Sequence, residues 1–381
     1  MSANNFLEKL LDGAEVEWLP LGNSVHFEIA NNGRRPVKAS LRAPGSTPYY
    51  GANNVQDYVE GHTHDGEFVL IAEDGSASLE NYSIQYAVGK FWANNHVHVV
   101  KGKGAVNTRY LYHLLRTVDF IPFLSGGGRA KLTKGKLIEI SIPIPCPVNP
   151  KKSAAIQAEI VRILDTFAEL TAELTAELTA ELTAREKQYE YYRDELLNIG
   201  EDEVEWKPLG EVATIGTGSR NTNEAQESGR YPFFVRSQTP KAIDEYEFDE
   251  TAIITAGDGV GVGKVFHYVS GRYALHQRAY RIVVSSELLD PRFLFHFIRC
   301  HFSRYLAMTS VHASVTSLRK PMFEKYPVPL PPLAEQTRIV AILDTFDTLT
   351  HSISEGLPKE IELRQQQYEY YRDLLLNFNH E

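Results

Sequence analysis

The sequence is sparing in the residues that would tie it to a membrane, a metal or an oxidising compartment. Its 381 residues hold two cysteines, Cys146 and Cys300, far apart and outside any Cys-x-x-Cys pattern. This excludes a disulfide framework and a cysteine zinc site, and each is read as a buried thiol. No run of about 18 apolar residues occurs, and the opening MSANNFLEKL lacks a basic start followed by an apolar stretch. Neither a membrane segment nor a secretory leader is expected, and the cytoplasm is the default. The histidine pairs His62/His64 and His96/His98 have no third ligand at convincing spacing, which favours polar contacts over a metal. GDGVGVGK at 257–264 is followed by Val265 where a phosphate-binding loop needs Ser or Thr, so a turn between strands is expected. No nucleophile and base constellation is legible. Catalytic residues and metal ligands are therefore both assigned as none.

An excess of basic charge is also missing, since the net charge is −10. The sum hides a local asymmetry. Residues 1–150 carry 14 basic and 14 acidic side chains and 201–332 carry 15 and 16, whereas 151–200 and 333–381 hold 6 against 10 and 4 against 9. Within the two neutral regions, 101–150 has 8 basic against 2 acidic side chains and 260–325 has 10 against 3. A basic end in each half keeps a nucleic-acid partner open.

The chain is written twice. EVEWLPLG at 15–22 returns as EVEWKPLG at 203–210, RYLYHLLR from Arg109 as RFLFHFIR from Arg292, SIPIP as YPVPLP, IVRILDTF from Ile160 as IVAILDTF from Ile339, and QYEYYRD from Gln188 unchanged from Gln367. Such internal repetition defines a unit, here one globular region followed by one helical arm. The domains expected are 1–150 and 201–333 as globular modules, 151–200 as a central helical spacer and 334–381 as a C-terminal helical region. Strand-like runs such as FVLIA and AYRIVV, with turns at DG and GG, give each module an α/β (α+β) character. Two copies of one helix related by a pseudo-two-fold axis run antiparallel, so the arms are expected to form a coiled-coil rod. Gly356 and Pro358 predict a break in the second arm.

The first arm contains AELTAELTAELTAELT at 168–183. Four residues of an α-helix turn about 400°, so Leu170, Leu174, Leu178 and Leu182 form a stripe that winds roughly 40° per repeat and rises about 6 Å. A heptad seam alternates three and four instead. The array suits a plain amphipathic spacer, or a ruler that gains and loses units by copying slips.

Between the landmarks the modules diverge, as two recognition modules reading different things would. SGGGRAKLTKGK at 125–136 sets Arg129, Lys131, Lys134 and Lys136 on an acid-free segment, and SVHASVTSLRK at the matching place supplies His312, Ser314, Thr316, Arg319 and Lys320. Basic side chains and hydroxyls suit phosphate oxygens, and although a solvated loop explains any one of them equally well, recurrence in both copies favours binding. Amide, imidazole and Arg side chains suited to base edges follow the same strand in each copy: Asn94, Asn95 and His96, then His276, Gln277 and Arg278, with Arg220, Asn221, Arg236 and Gln238 alongside.

In combination, the EVEW(L/K)PLG entries, IPIPCP with Gln157 and IVRILDTF, PVPLPPLAEQTRIVAILDTF with Gln336, and the doubled QYEYYRD resemble the specificity subunit of type I restriction-modification enzymes. The TAEL-type spacer is similar to that of one subgroup. The resemblance implies two target recognition domains, each reading one half of a split double-stranded DNA site, with no cofactor in this chain. It implies helical regions that dock two methyltransferase subunits, here at Gln157, Ile160, Tyr191, Tyr192, Gln336, Ile339, Tyr370 and Tyr371. Those partners would hold S-adenosylmethionine and methylate adenine, and motor-nuclease subunits would use ATP and Mg. A protein-binding scaffold and a nuclease or methyltransferase with dispersed catalytic residues are the rival readings from residues alone.

Overall fold

The stretches that repeat in the sequence fold into elements that repeat in space. The structure is a computed structural model describing residues 4–126, 130–200, 202–309, 317–351 and 355–378. The chain divides into two units, Met1–Ala176 with Glu362–Glu381, and Glu177–Ile361. The first head runs α1 (Asn4–Leu11), β1 (Val16–Pro20), β2 (Phe27–Ile29), β3 (Pro44–Tyr50), β4 (Val55–Val59), β5 (His64–Ala72), β6 (Ile84–Ala93), β7 (Val97–Gly102), α2 (Thr108–Leu115), α3 (Lys134–Leu137) and β8 (Ser141–Pro145). The arm helix α4 (Pro150–Leu196) follows. The second head runs β9 (Glu205–Pro208), α5 (Leu209–Val212), β10 (Ala213–Thr217), β11 (Tyr231–Phe234), β12 (Lys241–Ile243), β13 (Phe248–Ala256), β14 (Phe266–Leu275), β15 (Ala279–Val284), α6 (Pro291–Thr309), α7 (Lys320–Glu324) and β16 (Pro327–Leu330). The second arm is α8 (Leu333–His351) and α9 (Gly356–Leu376). The expected interruption of this arm thus falls between two helices, with Gly356 at φ +79°.

Each head is a six-stranded sheet of one topology, β2-β7-β5-β6-β3-β4 in the first and β10-β15-β13-β14-β11-β12 in the second. All pairings are antiparallel except β3 with β6 and β11 with β14. The repeated EVEW and SIPIP-like segments form a separate two-stranded ribbon in each head, β1 with β8 and β9 with β16. The second half of the central strand β5, Phe68 to Ala72, reads as a continuous apolar run because both of its faces are covered. Val69 and Ile71 point into the core beneath α2, while Phe68 and Leu70 join a smaller cluster on the opposite face. In β13, Ile253 faces the helix side, and Ala252 and Ile254 face away.

Each core is completed by both arms. Ile156, Ile160 and Leu164 of α4 join the first core, together with Leu375, Leu376 and Phe378 from the end of the chain. Ile339 and Leu343 of α8 join the second, with Tyr189 and Leu197 from the end of the first arm. Inside the first unit Phe167 stacks on Tyr371, and inside the second Tyr192 stacks on Phe346. Within each unit, therefore, an early residue of one arm meets a late residue of the other.

The arm α4 is 47 residues long, about 70 Å at 1.5 Å per residue. Pro150 occupies its first turn rather than preceding it, where a missing N–H costs nothing. Asn149 caps the turn, its Oδ1 accepting from Lys152 N at 3.1 Å. Along the array the more covered positions include Ala168, Thr171, Thr175, Leu178, Leu182, Arg185 and Tyr189, which alternate steps of three and four. Leu170 is 54% exposed. A period-four sequence therefore presents a heptad-like seam by letting different letters of the repeat take successive inner positions.

Candidate functional site

One end of each sheet gathers the candidate residues. Where β6 ends, Asn94 N donates to Tyr50 O at 3.2 Å and the Asn94 Oδ1 accepts from His96 N at 2.8 Å. Where β14 ends, His276 N donates to Phe234 O at 2.9 Å and the His276 Nδ1 accepts from Arg278 N at 3.0 Å. The two turns are one structure with different letters. Asn94 and His276 are buried. They are turn-builders, which corrects the expectation that Asn94 reads a base. Asn95, Gln277 and Arg278 are exposed and His96 is half-exposed.

A carboxylate from the end of the neighbouring strand holds the third residue of each turn. Asp74 Oδ1 lies 2.6 Å from His96 Nδ1. Asp258 accepts from Arg278 at 3.1 Å and from Arg236 at 2.7 Å. Burial acts to raise the Asp258 carboxyl, but the bonds from Arg236 and Arg278 outweigh it and hold it below the usual carboxylate range. Around this fork a cavity of about 350 Å3 is lined by Asn221, Thr222, Asn223, Arg236, His276, Gln277 and Arg278. Arg220 is tied to Glu224 at 3.0 Å and Glu245 at 2.7 Å, and Gln277 donates to Asn221 at 2.5 Å. Gln238 is exposed beside them in sequence.

The basic loops return beside the same carboxylates. Lys131 bridges to Asp74 and Leu132 N donates to Glu73 O, while Ser317 bridges to Asp258 and Leu318 N donates to Gly257 O. Lys131 Nζ lies 2.9 Å from Glu73, which also receives Arg34 at 2.5 Å. Its charge is thereby shared with an internal partner. Burial of Glu73 works against ionisation, and the bonds from Arg34 and Lys131 prevail to lower it. Lys134, Arg319 and Lys320 are exposed; Lys136 and Lys320 have acidic neighbours in Glu139 at 2.7 Å and Glu324 at 3.6 Å. Arg129, His312, Ser314 and Thr316 lie outside the described residues.

Sequence reading missed Arg35. Its N–H donates to Ala93 O at 2.9 Å, as Arg220 N donates to Leu275 O at 3.2 Å, so the two arginines are equivalents beside the two turns. Arg35 is exposed in an acid-free run, NNGRRPVKASLR, that also carries Arg34, Lys38 and Arg42. The signal was the pair Gly33-Arg34-Arg35 and Gly218-Ser219-Arg220, too short to align without the structure. The expectation for histidines is refined by His98, which is fully buried between Asn31 Nδ2 at 2.9 Å and Leu132 O at 2.7 Å. Cys146 and Cys300 are free and only partly buried, unlike the buried thiols expected: Cys146 follows the last residue of β8, and Cys300 packs at the margin of the second core. Among the described residues no group of three or more His, Cys, Asp or Glu could hold a metal ion, and no helix is long and apolar enough to cross a membrane.

The residues expected at a partner interface separate into two sets. Gln157 and Gln336 are fully buried, and Ile160 and Ile339 nearly so. Gln157 accepts from Asn107 N at 2.8 Å and donates to Ala105 O at 3.1 Å and Ser153 Oγ at 2.9 Å. Gln336 accepts from Asp290 N at 2.8 Å and donates to Leu288 O at 2.9 Å and Pro331 O at 2.7 Å. Each glutamine clamps the N-terminus of the head helix to its own arm, so these four residues serve the chain's interior. An acidic joint completes the clamp: Asp165 takes Arg109 at 2.9 Å and His113 at 2.8 Å, and Asp344 takes Arg292 at 2.8 Å and His296 at 2.7 Å. Burial pulls His113 down to about 4 against the attraction of Asp165. Its Nδ1 has no hydrogen-bond partner, so a second proton would be a buried, unsatisfied donor. Tyr191 and Tyr370 are 62% and 61% exposed, and Tyr192 and Tyr371 are 38% exposed.

Two diverged modules on one scaffold, each ending in tethered cationic and amide side chains, form the class of bipartite recognition proteins. The type I restriction modification DNA specificity domain matches residues 26–184 and again 201–363. A putative type I restriction enzyme specificity subunit of Haemophilus influenzae is 49% identical, covering 98% of this chain and 98% of its own. The EcoR124I/EcoR124II specificity subunit of Escherichia coli is 35% identical over 99% of this chain and 98% of its own. In fold, the S subunit of a type I restriction-modification system from M. genitalium covers 97% of this chain and 98% of its own with a TM-score of 0.54 at 14% identity. A chain from a structure of type I restriction-modification complex assembly covers 95% of this chain and 97% of its own, with a TM-score of 0.58 at 15% identity. The chain belongs to the type I restriction-modification specificity subunits, the DNA-recognition components of those systems.

Proposed function

We infer that each head reads one half of a split duplex site, that residues 151–200 set the gap between the halves, and that 334–381 supplies the matching second arm. The observation that carries this reading is the paired turn: two heads of one strand order put exposed basic and amide side chains at the same sheet end. Lys134, Arg319 and Lys320 contact phosphate and fix register, and Asn95, His96, Gln277 and Arg278 face base edges. Arg129, Ser314 and Thr316 belong to the same loops by sequence. The exposed tyrosine pairs on both arms dock methyltransferase subunits, which hold S-adenosylmethionine. Motor-nuclease subunits bring ATP and Mg.

One AELT unit adds about 6 Å of helix, against roughly 3.4 Å per base pair. Mapping methylated adenines by sequencing, in cells holding the chain and its methyltransferase partner with four or three units, tests the proposal. The expected outcome is a split motif whose gap shortens by one or two base pairs while both halves persist. A motif of unchanged gap removes the ruler, and the absence of any split motif removes the bipartite reading.

A further inference from the structure

The two sheet ends have the same backbone and different chemistry at one position. His96 and Arg278 each stand two residues beyond the first residue of an equivalent turn, and each is held by an aspartate from the adjacent strand end, Asp74 or Asp258. The shared position is fixed by the turn itself and by the carboxylate, and the aspartate's own backbone is paired with the loop at Lys131 or Ser317. A long side chain so restrained meets a partner without paying for its own ordering. Arg278 is nonetheless 63% exposed and His96 40% exposed, so both remain available to a ligand.

Resting on the DNA-reading function above, we propose that His96 and Arg278 are the equivalent base-selecting positions of the two heads, with Asp74 and Asp258 as their positioning residues, and that Arg278 makes the second head select guanine. The chemistry is one of donor number. Arg278 uses Nη1 on Asp258 and keeps Nε and Nη2, two parallel donors in a fork that fits the O6 and N7 acceptors of guanine. His96 has its Nδ1 engaged by Asp74 and keeps a single nitrogen, Nε2, for the duplex. The first head therefore makes one bond where the second makes two, and its half-site is less strict at the corresponding base. Arg236 shares Asp258 from the opposite side, and the residue matching it in the first head is Ala52, counted from the equivalent Tyr50 and Phe234 carbonyls. Among the described residues, no second arginine of the first head is placed as Arg236 is.

The test is the methylated motif of the full chain with its methyltransferase partner, read for wild type, Arg278→His, Arg278→Lys, His96→Arg and Asp258→Asn. Wild type is expected to require guanine at one position of the second half-site. Arg278→His should relax that single base by about tenfold or more, the discrimination of one bidentate pair, and Arg278→Lys, which keeps the charge and loses the planar fork, should relax it less. Asp258→Asn should relax the same base less, with the first half-site and gap unchanged, a pattern that general loosening of the head would not give. His96→Arg should introduce a guanine preference at one base of the first half-site. A wild-type split motif with no required guanine in the second half-site overturns the proposal, as does a guanine kept at full strictness in both Arg278→His and Arg278→Lys. If wild type itself yields no split motif, it is the bipartite reading that fails.

Discussion

In the first head a strand-end carboxylate holds an imidazole, and the position matching Arg236 is a buried alanine; in the second the equivalent carboxylate holds two guanidiniums. Arg35 stands exposed beside the first turn, whereas Arg220, its counterpart, is tied to Glu224 and Glu245. Where each head meets its arm little differs: the Gln clamp, the Asp joint and the helix cap recur, with Pro331 O taking the place of Ser153 Oγ as one acceptor of the clamp. A joint is buried and mutually bonded, so one change strands several partners, while a tip answers only to its ligand. Duplicated modules diverge at the end with the fewest internal obligations.

The largest test of this contrast falls on the shared end. Gln157→Ala strands the Asn107 N–H and the Ala105 carbonyl, Gln336→Ala strands the Asp290 N–H and the carbonyls of Leu288 and Pro331, and each should cost about 2–4 kcal/mol. Hydrogen exchange should show α2 loosened in the first variant and α6 in the second, by similar amounts. Unequal effects would break the equivalence.

The joint also predicts a response to acid. The fold keeps His113 neutral down to about pH 4, whereas an unfolded histidine takes its proton near 6.5. The unfolded state thus binds more protons between these values, so stability is whole above pH 6.5 and falls as pH drops toward 4, by at most about 3 kcal/mol. Asp165, lowered by Arg109 and His113 against its burial, adds a loss below the ordinary carboxylate range. His296 is lowered in the same direction by burial, so both joints loosen in acid. His113→Gln, whose amide can still donate to Asp165, should flatten the difference between thermal melts at pH 7 and pH 5, while the second unit keeps its acid response.

A smaller asymmetry is expected at the tips. A Cβ on Gly218 would sit 1.9 Å from the Leu275 carbonyl oxygen, whereas one on Gly33 would meet the imidazole of His64 at 2.9 Å. Backbone cannot yield as a ring can. Gly218→Ala should therefore lower duplex binding by the second head by roughly 1–2 kcal/mol and Gly33→Ala by less. Binding to duplexes carrying one half-site at a time would measure both.

What the sequence disclosed follows the same divide. RYLYHLLR, IVRILDTF and their copies were legible because the joint they build tolerates little change, and the helical arms because their periodicity is local. The order of the sheet strands was not legible, since β3 and β11 are each paired with a partner strand far along the chain. Nor were the tethers: Asp74, Asp258 and Glu73 acquire meaning only when strand ends distant in sequence are brought side by side. Gln157 and Gln336 were recognised by position but misplaced at a surface, because a polar residue on an otherwise apolar helix face can equally well clamp an interior. The tetrapeptide was legible as helix, yet its inner face was not, because a winding stripe gives no hint of which letters turn inward.

The core of the first head includes Leu375, Leu376 and Phe378, residues made after the entire second head. A ribosome adding about 5–20 residues per second needs on the order of ten seconds or more to reach them after finishing β8. The first module to be synthesised is thus the last to be sealed. During that interval its apolar floor is open to chaperones and proteases, and a chain cut short near its end would carry a finished second head beside a first that never closes.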